Sequence, residues 1–78
     1  MQGRRLPDGW HSQDSQAGDY WRTPEGHWEV RDPHGVIGGI DLHEVEEHDD
    51  GTISVTPSIL DDSEGGYHGY LTRGVWNP

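Results

Sequence analysis

The feature that most constrains the fold is the stretch 52–59, in which apolar and hydroxyl side chains alternate. A period of two is typical of a half-buried β-strand. Asp49-Asp50-Gly51, directly before it, is typical of a hairpin loop in which glycine takes a positive φ. Pro57 has no N–H to donate, so the strand is predicted to lie at an edge or to bend there. One predicted face carries Ile53, Val55 and Ile59, and the other carries Thr52, Ser54, Thr56 and Ser58.

The hairpin loop implies a preceding strand over residues 40–48, but the pattern there is imperfect. Ile40 and Leu42 share a parity that Val45 does not, and a β-bulge near His43-Glu44 would correct the phase. The alternative is a short helix with Asp41 as N-cap and Glu44 completing a capping box. We favour the strand, because the loop predicts pairing with residues 52–59.

Further short strands are predicted on both sides of this hairpin. Residues 20–31 form two strands around the turn Pro24-Glu25-Gly26. After a second turn at 32–35, the paired glycines in 36–40 indicate a bulge or a close backbone approach. Residues 67–72 and 75–76 form strands around an Arg73-Gly74 turn. The predicted fold is therefore an all-β, or nearly all-β, single domain of four to six short antiparallel strands.

Residues 1–19 differ from this pattern, since they carry glycine, proline and polar residues without an apolar period. We predict an extended polar arm there, followed by a small β domain over residues 20–78. Trp10 would anchor the arm on another surface, or the arm would be a solvated tail.

Apolar side chains are few, at 28% of the chain, so a small core must depend on aromatic residues. The chain has four Trp and three Tyr, and each buries a large area. We expect Trp28 and Trp76 inside a weakly stable domain. As candidate partner-binding residues we take Trp10, Trp21, Tyr67 and Tyr70.

The net charge of −10 is concentrated in residues 41–64. Outside that range, six acidic residues face five arginines. This balance argues against direct nucleic-acid binding. The acidic stretch either binds a basic protein partner or is a solvated face that discourages aggregation. Its members are Asp41, Glu44, Glu46, Glu47, Asp49, Asp50, Asp61, Asp62 and Glu64.

The residue inventory offers little for catalysis or cofactors. The chain has no cysteine, so it has no disulfide, no cysteine-ligated metal and no thiol nucleophile. Six histidines are present, but their spacings match neither HExxH nor a strand-face pair, and we expect no metal and no cofactor. No nucleophile-elbow pattern is present, so we expect no enzymatic activity. No apolar run is long enough for a membrane span or signal peptide.

Two segments carry a resemblance to a known family. Pro57-Ser58-Ile59-Leu60, followed by Tyr67-His68-Gly69-Tyr70-Leu71 and Gly74, resembles a family of small uncharacterised proteins of tailed bacteriophages and prophages. The resemblance covers roughly residues 27–76. It implies a phage context and a β-rich fold but no chemistry. Some members have cysteines that suggest a metal knuckle, at positions where this chain has Asp32 and Tyr67.

The resemblance and the composition together suggest a non-enzymatic phage protein that acts through surface contacts. The first expectation is a small virion-associated protein, for capsid decoration or a minor structural role, whose arm contacts a capsid or other virion subunit. The alternatives are an acidic inhibitor of a host or defence protein that uses the 41–64 face, and a small His/carboxylate metal-binding protein. The expected location is the virion or the host cytoplasm, with no membrane contact.

Overall fold

The chain folds as two small β-sheets, which the computed structural model describes for residues 1–61 and 65–78. The first sheet has the order β1-β2-β3-β4 and the second β5-β6-β7-β8. The strands are β1 (Arg4–Arg5), β2 (Asp19–Arg22), β3 (Trp28–Arg31), β4 (Ile37–Gly39), β5 (Glu44–Glu47), β6 (Ile53–Leu60), β7 (His68–Thr72) and β8 (Val75–Asn77). The all-β prediction is thus confirmed. The strand number is higher than predicted, and a single 3₁₀ turn at Ser12–Asp14 is the one helical element in the described ranges.

Every predicted turn within the two sheets is present. Gly26, Gly35, Gly51 and Gly74 take φ between 77° and 89° at the β2–β3, β3–β4, β5–β6 and β7–β8 turns. Glycine reaches this region without steric cost, so these residues define where the chain reverses.

The segment 40–48 is a strand as favoured, but it is shorter than predicted and has no bulge. Residues 41–43 turn the chain from one sheet to the other, and β5 begins only at Glu44. The mismatch in parity has a simple cause, since Ile40 belongs to the end of the first sheet and Val45 to the second.

Pro57 does not place β6 at an edge, because β6 lies between β5 and β7. Its pairing with β5 ends at Thr56, and its register against β7 shifts between Val55 and Ile59. The prediction of an edge strand is therefore wrong, and the ladder is instead interrupted by a register shift around the proline, which cannot donate.

Both sheets contribute side chains to one core. Trp28 and Trp76 lie in it, as predicted, and are 8% and 1% exposed. Trp76 Nε1 donates a hydrogen bond of 2.9 Å to Gly18 O, so its one polar atom is satisfied inside the core. The other buried members are Tyr20, Val30, Ile40, Ile53, Val55, Ile59, Tyr67 and Leu71.

Residues 1–19, for which we predicted an extended polar arm, lie along the domain and are hydrogen-bonded to it. β1 pairs in parallel with β2, the one departure from antiparallel pairing among the named strands. Gly3 N donates to Gly74 O at 2.7 Å, and Leu6, which is 4% exposed, donates its N–H to Tyr20 O. Arg4 and Arg5 gave no alternation in the sequence, so this strand could not be predicted from its own residues.

Candidate protein-interaction surfaces

β4 is an edge strand whose outer hydrogen-bonding groups can be identified from its pairing. Asp32 N donates to Val36 O and Ile40 N donates to Trp28 O. The groups that face a partner alternate along an antiparallel strand, so Gly38 faces β3 in the same way. Ile37 and Gly39 therefore direct their N–H and C=O groups away from β3, and within the described residues no strand lies on that side.

Gly38 and Gly39 are not explained by their own chain. Neither has a positive φ. A β-carbon on Gly38 would meet no atom within 4 Å, and one on Gly39 would make only ordinary contacts, the nearest at 3.9 Å with Asp41 Oδ2. At Gly74, in contrast, a β-carbon would lie 2.8 Å from Tyr20 Oη. Glycine inside a strand is also found where another backbone or a ligand approaches closely, so β4 is a candidate for such a contact.

A pocket of about 220 Å³ lies beside β4, where the two sheets meet, and its walls are partly apolar and partly polar, with Asp32 and Asp61 among them. Gly38 has the same parity as the core residues Val30 and Ile40, so its missing side chain leaves this space open. Around it, Val36, Ile37 and Leu60 are 44%, 37% and 61% exposed. The pocket is lined by Val30, Asp32, Val36, Ile37, Gly38, Gly39, Ile40, Ile59, Leu60 and Asp61.

β5 is the corresponding edge of the second sheet, and it is acidic. Three of its four residues are glutamates, all exposed, and Val45 is the half-buried residue that packs on the core. Glu47 is bound to the first sheet, since Arg5 Nη1 lies 2.9 Å from its Oε2. Arg5 also donates to Gly51 O and lies over the Trp28 ring, 4.7 Å from its centroid.

The surroundings of Arg5 shift its pKa in two opposing directions. Partial burial lowers the pKa of the guanidinium, but the hydrogen bonds to Glu47 and Asp8 outweigh that effect and the net shift is upward. Arg5 thus stays charged and holds β5 to β1.

The residues of the predicted acidic face lie at three separate places. Glu44, Glu46, Glu47, Asp49 and Asp50 are continuous along β5 and its turn. Asp61 follows the far end of β6, roughly 17 Å along an extended strand from Thr56, the residue opposite Glu44. Asp41 lies at the turn between the sheets, where it accepts a hydrogen bond from Trp28 N and pairs with His27. Asp62 and Glu64, which we also predicted for this face, lie outside the described residues.

Asp50 has the clearest pKa shift in the acidic group. The hydroxyl and backbone N–H of Thr52 both donate to its Oδ1, and these bonds lower the pKa of the carboxyl. The carboxylate closes the β5–β6 turn, so it has a local structural role besides its charge.

The four aromatic residues chosen as partner contacts separate into two pairs. Trp10 and Tyr70 are 37% and 52% exposed and can contact a partner. Trp21 is 0% exposed and Tyr67 is 5% exposed, so the choice of these two needs correction.

The physical reason differs between the two buried residues. Trp21 pairs with Glu29, on the sheet face opposite to Tyr20 and Val30. Arg31 is on that same face and donates to Ser15 O, so part of residues 1–19 lies against the face on which the indole is buried. Tyr67 packs edge-on against Trp76, with ring centroids 5.5 Å apart, and burial raises the pKa of its hydroxyl.

The histidines of the described residues make structural contacts. His68 Nε2 lies 3.1 Å from Ser58 Oγ, and His34 Nδ1 lies 2.8 Å from Gly65 O. Across residues 1–61 and 65–78, no three His, Asp or Glu side chains are grouped as metal ligands would be. No helix in those ranges is long and apolar enough to cross a membrane.

No family model matches the chain, and searches of curated proteins and of solved structures give no match. The functional argument therefore depends on the surfaces described above.

Sequence reasoning missed β4 as a candidate surface. Its signal was present in the paired glycines of an uncharged strand, which indicated a close backbone approach. It could not be used without the strand order, because only the fold shows that β4 lies at an edge.

Proposed function

We propose that this chain is a non-enzymatic protein that acts by binding another protein. The observation that supports this most directly is the β4 edge, where the main-chain groups of Ile37 and Gly39 point outward beside a pocket and the exposed apolar side chains Val36, Ile37 and Leu60. Exposed apolar surface beside open strand groups is typical of a protein-docking site.

The phage context implied by the sequence resemblance suggests where that partner is. We propose a small virion-associated protein, in capsid decoration or a minor structural role, that docks on a capsid or other virion subunit. A compact β domain with one open edge suits this role, since added strand pairing fixes orientation as well as affinity. Exposed Trp10 and Tyr70 are further candidate contacts.

Mass spectrometry of purified virions tests this role. We expect the chain at a copy number stoichiometric with a structural protein, and we expect it to survive washing at high salt because the proposed contact is largely apolar and main-chain. Its absence from virions, in cells that express it, would contradict the role.

The acidic strand β5 supports a second candidate, inhibition of a host or defence protein through a basic groove. Glu44, Glu46, Asp49 and Asp50 are exposed and contiguous, as a mimic of a charged backbone requires. Binding of this kind should weaken steeply as salt rises. A pull-down at low and high salt separates the candidates, because β5-dependent capture should be lost at high salt, whereas β4-dependent capture also has main-chain and apolar contacts and should fall much less.

A further inference from the structure

We infer that β4 accepts one extended segment of another protein as a fifth strand of the first sheet, with an apolar side chain in the pocket beneath Gly38 and basic residues on its flanks. This inference rests on the proposed function, since it names the kind of partner that the protein would bind.

The backbone contact follows from the outward groups of β4. Ile37 and Gly39 each present one N–H and one C=O on the open side, so a partner strand can form up to four main-chain hydrogen bonds with them. Gly38, between them, has no side chain to fill the pocket on its face of the sheet, so that space is open to a side chain of the added strand.

The pocket determines the side chain at the centre of the partner strand. A residue directly opposite Gly38 points to the same side of the sheet as Val30 and Ile40, which is the side of the pocket. The volume of about 220 Å³ and the aliphatic part of the lining, which includes Val30, Ile40 and Ile59, suit a branched aliphatic side chain such as leucine or isoleucine.

Charge argues against a second copy of this chain, because two chains of charge −10 would repel each other. In a twofold pairing of β4 with itself centred on Gly38, each pocket would also face the other glycine and stay empty. A pairing centred on Ile37 would instead place Val36 of the other copy opposite Gly38, so the argument from charge is the one that covers both registers.

Charge complementarity predicts basic residues at the two ends of the partner segment. Four acidic residues lie next to β4 or line the pocket, namely Glu29, Asp32, Asp41 and Asp61. The positive charge beside them is Arg31, whose guanidinium already donates to Ser15 O and Gly35 O. The surroundings are therefore net acidic, and lysine or arginine at either end of the partner segment would be attracted to them.

The test uses a fluorescein-labelled peptide, KRVTLTVRK, whose central leucine is placed to enter the pocket, and the same peptide with glycine at the centre. Anisotropy titrations against the full chain should show the leucine peptide binding at least tenfold more tightly. In ¹⁵N spectra the largest shifts should be at the amides of Ile37 and Gly39. Equal affinity for the two peptides, or shifts centred on β5, would overturn the inference.

Two variants of the protein test the contact independently. Ile37→Pro removes an outward N–H that has no partner in the sheet, and it should weaken binding about tenfold or more, whereas Ile37→Val keeps the N–H and should stay within about twofold of the parent. Gly38→Val places a side chain in the pocket and should also weaken binding about tenfold. This variant tests the contact without introducing a proline into β4. Binding unchanged in Gly38→Val contradicts the inference even if Ile37→Pro fails to fold.

The remaining outcomes are also decisive. Sedimentation that shows a dimer of this chain, abolished by Ile37→Pro, assigns the edge to a second copy and overturns the inference. Virions that contain the chain, together with a peptide that does not bind, leave the virion role in place and remove the strand-addition contact. Selective peptide binding without virion incorporation does the reverse.

Discussion

The edge strands β4 and β5 differ in how far their side chains protect them from pairing with another chain. Both present unpaired N–H and C=O groups, which can template the addition of another chain. β5 carries three glutamates and is held to β1 through Arg5, whereas β4 is Ile-Gly-Gly with no charge, proline or bulge. Proteins usually protect an edge that has no function, and this difference is the basis of our proposal that β4 binds a partner.

The largest expected effect concerns the bond between β5 and the first sheet. Arg5→Ala removes the contacts to Glu47, Gly51 O and the Trp28 ring, and it should destabilise the fold by about 2 kcal/mol. For a domain of this size that lowers Tm by roughly 10 °C.

Arg22→Ala is the matched control for Arg5→Ala. Arg22 is more exposed, and its Nη1 is 3.9 Å from Glu47, so we expect a loss of less than about 1 kcal/mol. Similar losses in the two variants, measured by thermal denaturation, would show that β5 is not held chiefly by Arg5.

Removing the charges from β5 should convert it into an unprotected edge. In the double variant Glu44→Thr, Glu46→Thr, β5 can still form a strand but no longer repels the β5 strand of another chain by charge. Self-association should therefore increase about tenfold. Sedimentation across a concentration series measures this. Unchanged association would mean that the glutamates do not protect β5, and the contrast with β4 would lose its basis.

Adding a charge to β4 is the reciprocal change. Gly39→Lys should stabilise the domain by about 0.5–1 kcal/mol, because the backbone there needs no glycine, and it should weaken binding of the basic peptide. Gly26→Ala is the control at a glycine with φ 86°, and it should destabilise instead. A destabilised Gly39→Lys variant would show that the glycine serves the fold rather than a partner.

The smallest expected effect is in the turn that ends β5. Thr52→Val removes the hydroxyl that donates to Asp50, so the pKa of Asp50 should rise towards its ordinary value, while Thr52→Ser should preserve the lowered pKa. NMR titration of the Asp50 carboxyl measures both.

The sign of the pH effect follows from this direction. A carboxyl whose pKa is lower in the folded chain stabilises the fold above its unfolded pKa, and this contribution is lost as pH falls through the folded pKa. Thr52→Val should therefore flatten the acid limb of the stability profile. A Thr52→Val profile as steep as that of the parent would exclude Thr52 as the source.

Local sequence patterns were enough to predict the hairpins and part of the core. The alternation around Ile53 and Val55, and the turns at Gly26 and Gly51, depend on a few neighbouring residues. The burial of Trp28 and Trp76 followed from how few other large apolar side chains the chain has. Trp21 has the same aromatic character as Trp28, and nothing near it in sequence shows that part of residues 1–19 lies against its face of the sheet.

The sequence by itself determined that the chain is all-β, where it reverses, and that its charge is concentrated in residues 41–64. Only the tertiary structure decided that these acids lie at three separate places, that β1 joins the first sheet, and that β4 is an open edge beside a pocket. The reason is that turns and alternation are encoded by residues close in the chain. The order of the strands, and which faces of the sheets are covered, instead depend on contacts between distant segments, such as Arg5 with Glu47 or Gly3 with Gly74.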